Sequence, residues 1–132
     1  MFLDRLSKEQ HQAIFDLAAN LAAADHEISE EEVQYLKDFS VAYDIDYDLN
    51  KADIDIAKTL SKFNTKEVRI IALQQLIKIS YKDGHFGKEE QDKVFLIAQK
   101  MGLNDPELMI RIEKWVRQGF DWLYEGEQML KH

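Results

Sequence analysis

Apolar residues recur three or four positions apart along almost the whole chain, and no stretch sustains a period-two alternation. That spacing places side chains on one face of a helix, so the pattern predicts helices throughout. Ser7 opens a capping box, Ser7-Lys8-Glu9-Gln10, because its hydroxyl can accept a free amide of the first turn. Phe15, Leu17, Ala18, Leu21 and Ala22 follow as a buried face up to about Ala24. Ser29-Glu30-Glu31-Glu32 is a second capping box, with Ile28 and Val33 spaced as a hydrophobic staple. Its helix carries Val33, Leu36, Phe39 and Ser40 and fades near Tyr43. A short helix is predicted over 51–62, capped by Asn50 and showing Ile54, Ile56, Ala57 and Leu60. The next starts after Asn64 or Thr65 and runs through Val68, Ile71, Ala72, Leu76, Ile79 and Ser80. Gly87 opens another, with Val94, Ile97, Ala98 and Met101 inside, and Gly102 ends it as a left-handed cap. Asp105-Pro106 is a helix start, aspartate capping and proline in the first turn. One last helix, or a pair bent at Gly119, then covers 106–131. The expected fold is all-α, a single domain over 1–132 with six or seven helices.

The chain also repeats itself at an offset of 58 residues. Leu21 through Glu32 lies over Ile79 through Glu90: Asp25 meets Asp83, Ile28 meets Phe86, and Glu31-Glu32 meets Glu89-Glu90. Further on, Leu36 meets Val94, Phe39 meets Ile97, and Ile45 meets Leu103. So many matches in register suggest two related helical hairpins, about 10–45 and 68–103. An approximate two-fold axis would then place the two turns in comparable environments, with Ile28 and Phe86 as their buried anchors.

Composition narrows the function. The 132 residues are 45% hydrophobic and 32% charged, a globular balance that can support a core without staples. There is no cysteine, which excludes disulfides, thiolate metal sites and thiol catalysis and fits a cytoplasmic location. No apolar run approaches the ~20 residues of a membrane-spanning helix, and MFLDRLSKEQ lacks the pattern of a signal peptide. The net charge of −8 argues against nucleic acid, whose affinity rests on lysine and arginine. Lys58, Lys62, Lys66 and Arg69 recur at helical spacing, as a solvated helix face would. Acidic excess instead suits solubility, cation binding or a basic partner.

Candidate chemistry concentrates at the two turns. Asp25, Glu27, Glu31 and Glu32, with Asp83, His85, Glu89 and Glu90, could converge as oxygen and imidazole ligands for a divalent metal ion. The same acids also suit a purely structural role, with the aspartates ordering the turns and the glutamates favoured by the macrodipole in the first helical turn. Asp44-Ile45-Asp46-Tyr47-Asp48 resembles the start of a calcium loop. Leu49 and Asp55, however, stand where that loop needs glycine and a bidentate glutamate, so an acidic linker is the better reading. The histidines show no HExxH spacing and no nucleophile or phosphate-loop motif is present, so no enzymatic activity is expected. His11 reads as a surface helix residue. Trp115 shares a face with Ile112 and Leu108 and reads as core, while Trp122 and Tyr124 suit core or partner surface equally.

At the two turns the sequence resembles the TerB-like family of tellurite-resistance-associated helical domains. The pattern is an apolar helix ending in Ala-Asp-Gly, an Ile or Phe three residues after the aspartate, and a helix opening with glutamates. Here it stands as Ala24-Asp25-His26-Glu27-Ile28-Ser29-Glu30-Glu31-Glu32 and Lys82-Asp83-Gly84-His85-Phe86-Gly87-Lys88-Glu89-Glu90, within a likeness covering about 10–110. His26 replaces the usual glycine and Lys82 the usual alanine. The resemblance implies an all-α fold of about seven helices whose acidic turns bind a metal. The expected function is therefore a non-catalytic cytoplasmic domain in tellurite or stress resistance, binding a divalent metal through those turns. The alternative is a metal-independent scaffold for protein–protein interaction. Either way the expected partner is another protein, with a homo-oligomer among the options and no membrane insertion.

Overall fold

The structure, a computed structural model, describes residues 2–24, 28–82 and 85–131; the side chains of Ala24, Lys82, His85 and Phe86 also lie outside the description. A 3-10 turn at Leu3–Arg5 leads into α1 (Lys8–Ala24) and α2 (Glu30–Tyr43). Then follow α3 (Ile56–Leu60), α4 (Lys66–Ser80), the two-residue strands β1 (Tyr81–Lys82) and β2 (His85–Phe86), α5 (Lys88–Lys100) and α6 (Pro106–Met129). The domain is all-α, as expected; the strands form only a minimal antiparallel ribbon pairing Tyr81 with Phe86 and Lys82 with His85.

Local chemistry sets most of the boundaries. In the first capping box the Ser7 amide donates to Gln10 Oε1 (2.9 Å) and the Gln10 amide to Ser7 Oγ (3.2 Å). The Ser29–Glu32 box closes in the same way, at 3.2 and 3.1 Å. Asp105 accepts from the Leu108 amide ahead of Pro106. One expectation needs correction. The short helix begins at Ile56 under an Asp55 cap rather than at 51 under Asn50. Asp48 takes the Asn50 amide into a turn instead, and Lys51 is held against Asp16 at 3.3 Å. The last helix runs as one element through Gly119 to Met129, the first of the two forms expected.

The elements recur at the offset seen in the sequence. α4 starts 58 residues after α1, and α5 starts 58 after α2. On α1, Ala13, Ile14, Phe15, Leu17, Ala18, Ala19 and Ala22 are buried; on α4 the positions 58 further on, from Ile71 to Ser80, are buried too. Both outer helices end alike. Asp44 (φ 54°) and Gly102 (φ 81°) are left-handed, and the next amide reaches back five residues, Ile45 to Ser40 and Leu103 to Ala98, each at 2.9 Å.

α1 and α4 form the centre. α1 packs on α2, α3 and α4, while α4 packs on α1, α5 and α6. Phe15, Leu17, Leu36, Phe63, Leu76 and Val94 are fully buried among them. His11, expected at the surface, is half-buried, with Nε2 2.6 Å from the Leu3 carbonyl and its ring 4.4 Å from that of Tyr43. Ile28 is half-buried and outside the main core cluster, so it is a weaker anchor than expected; the Phe86 side chain lies outside the described residues.

Candidate functional site: the acidic turns and the free stripe of α6

Of the predicted metal set, Asp25, Glu27 and Asp83 lie outside the described residues, as does the side chain of His85. Glu31 and Glu89 are exposed in the first turns of α2 and α5. Glu32 is buried, and Glu90 is half-buried with its carboxylate folded over the start of α5, where a Cβ at Gly87 would collide with it. These two equivalent glutamates line one cleft, together with Ala18, Leu21, Ile79, Ser80 and Lys93. Its free volume of about 10 Å³ is at the lower limit for a single water, ~10–15 Å³. Among the described residues no three His, Asp or Glu side chains are grouped to hold a metal ion. Of the four candidate ligands whose side chains are described, Glu31, Glu32, Glu89 and Glu90, the cleft gathers Glu32 and Glu90, and Glu32 already serves its capping box.

A second feature is larger. Between α4 and α6 lies an apolar groove of about 360 Å³, lined by Gln74, Lys78, Trp115, Gly119, Phe120 and Leu123 among others. Gln74 Oε1 is buried there without a hydrogen-bond partner. Nothing lies within 4 Å of where a Cβ on Gly119 would stand, so the groove floor is open at that position.

The groove is the point at which α6 leaves the bundle. Read in heptads, most of its apolar residues and both of its glycines fall in three columns: Leu108, Trp115, Trp122 and Met129; Met109, Val116, Leu123 and Leu130; Ile112, Gly119 and Gly126. Up to Val116 the stripe is covered, with Met109, Ile112 and Val116 buried and Leu108 and Trp115 half-buried. Beyond it the same columns are bare: Trp122 is 74% exposed, Leu123 54%, Met129 72% and Leu130 85%. Trp115, expected in the core, is thus a boundary residue stacked on Phe2 with centroids 6.1 Å apart. The sequence signal for this surface is the heptad recurrence itself.

Tyr81 clamps the covered half. Its hydroxyl donates to Glu113 Oε1 at 2.6 Å, and its ring stacks on Phe120. Burial first, then the Glu113 carboxylate, pushes the hydroxyl up to about 12. The unfolded chain ionises this group through pH ~10, so stability is full below that value and is lost as pH rises towards 12. Tyr81→Phe should cost about 1–2 kcal/mol near neutrality for the lost charged hydrogen bond. Its deficit against the parent should then shrink between pH ~10 and ~12 in thermal melts; a deficit independent of pH would refute the linkage.

Among the described residues no helix is long and apolar enough to cross a membrane. No family model matches the chain, and neither a curated protein nor a solved structure matches it.

Proposed function

We propose that this chain is a non-catalytic, cytoplasmic, TerB-like binding module in tellurite or stress resistance that docks a protein through the free stripe of α6 and the groove beside α4. The carrying observation is that one apolar stripe is half covered by the bundle and half bare. Large exposed apolar patches on a folded chain mark interaction sites, and tryptophan is enriched among the residues that dominate binding. A photo-reactive phenylalanine analogue placed at 122 should give a covalent adduct in cells. The same group at 121, on the polar side of the helix, should not. Equal labelling at both positions, or none at 122, would overturn the proposal.

A second reading concerns the acidic turns, which would bind a divalent cation through Asp25, Glu27, Glu31, Glu32, Asp83, His85, Glu89 and Glu90. It is favoured by the shared cleft of Glu32 and Glu90, since equivalent carboxylates from the two hairpins approach one point. Lys93 lines the same cleft, so a cation entering it competes with an ammonium group.

A further inference from the structure

Resting on the docking reading above, we infer that the occupant of the α6 stripe is the same stripe of a second copy, paired antiparallel. The columns carry the argument. On the bare half, glycine and bulky residues alternate as Gly119, Trp122, Gly126 and Met129, spaced three and four apart. In an antiparallel pair of heptad helices, layers form between positions of opposite type. In one register every layer sets large against small: Gly119 faces the partner's Met129, and Trp122 faces the partner's Gly126. A parallel pair would instead set glycine on glycine and tryptophan on tryptophan, leaving voids beside clashes.

The same register explains the groove. Leu123 meets the partner's Leu123 near the two-fold axis, and Val116 meets the partner's Leu130. The end of each α6 therefore enters the apolar groove of the other, over the open floor at Gly119. The exposed Trp122 brings a side chain of the ~150–250 Å² class, so the four bare side chains stay below the ~800 Å² per partner of a standard interface and fit a weak, concentration-dependent pair. Leu123, Met129 and Leu130, more than half exposed, add further apolar surface. Such an interface is isologous, as two-fold dimers require. Charge opposes it mildly, because each copy carries −8 and Glu125 approaches the partner's Glu125. Association should therefore strengthen with added salt, which screens that repulsion.

Light scattering from the intact chain, from low micromolar to near-millimolar concentration, should show a shift from 15.5 kDa to twice that mass. Trp122→Glu should hold the chain monomeric throughout, while Tyr124→Glu, also exposed but off the stripe, should leave dimerisation unchanged. The chain has no cysteine, so engineered thiols report cleanly. Leu123→Cys should form an intermolecular disulfide on mild oxidation. Leu130→Cys should not, because in the antiparallel pair it sits level with the partner's Val116, 14 residues or ~21 Å from the partner's own position 130. Cross-linking of both variants alike would mean a parallel pair and overturn the register. A chain monomeric at every concentration would overturn self-pairing, and an adduct at 122 of a mass other than a second copy would do so while leaving the docking reading intact.

Discussion

Truncating Phe15 to alanine is expected to be the most damaging single change, costing about 3–5 kcal/mol. The ring is fully buried on α1, the helix that packs on α2, α3 and α4 at once. Its removal leaves a cavity that rigid neighbours on three sides cannot collapse to fill. For a domain of this size the loss corresponds to a fall in melting temperature of very roughly 10–20 °C, enough to leave a large unfolded fraction. Calorimetry on Phe15→Ala tests it. A shift of only a degree or two would mean that α1 is not the centre of the core.

The second large effect concerns the acidic turns. If they hold a divalent cation, its binding stabilises the fold by RT ln(1 + [L]/Kd), about 2.7 kcal/mol at a hundredfold excess over Kd. Calcium, magnesium, manganese or zinc should then raise the melting temperature by several degrees. Asp83→Asn combined with Glu90→Gln keeps size and hydrogen bonding but removes charge. That variant should fold nearly as well as the parent and lose the rise. Unchanged melting with all four ions would mean that the glutamates act as caps, the role that Glu32 fills through its bond to the Ser29 amide.

The helices and their starts were legible because each rests on local chemistry. Ser7, Ser29, Thr65 and Asp105 cap where the sequence places them. The linker after α2 is ambiguous because Asn50 and Asp55 are both good caps, and the choice depends on tertiary contacts: Asn20 Nδ2 donates to the carbonyls of Lys51 and Ala52 and ties down a turn there instead of a helix start. His11 was misplaced for a similar reason, since its partner is a backbone carbonyl of the 3-10 turn that no spacing rule reveals. The candidate site was legible only in part. The sequence pointed to the turns, but that Glu32 and Glu90 share a cleft depends on how the two hairpins pack. The α6 surface was half legible. Trp122 and Tyr124 stood out as aromatics, yet only the packing of α4 decides where cover ends, at Val116, and which of the two lies on the stripe.

Whether the bare half of α6 is a docking element can be read from its backbone. Beyond Val116, Phe120 excepted, the residues have little body to pack on, and they include two glycines, each costing about 1 kcal/mol relative to alanine in a helix. Without a partner this extension should fray, since helices lacking packing are marginal in water. The most direct measurement is amide hydrogen exchange across 119–129, compared with 108–116, at low micromolar and near-millimolar protein. The expected result is fast exchange of 119–129 in dilute protein, slowed at least tenfold when concentrated, with 108–116 protected throughout. Protection of 119–129 equal to that of 108–116 in the dilute chain would contradict it, because the helix would then need no partner.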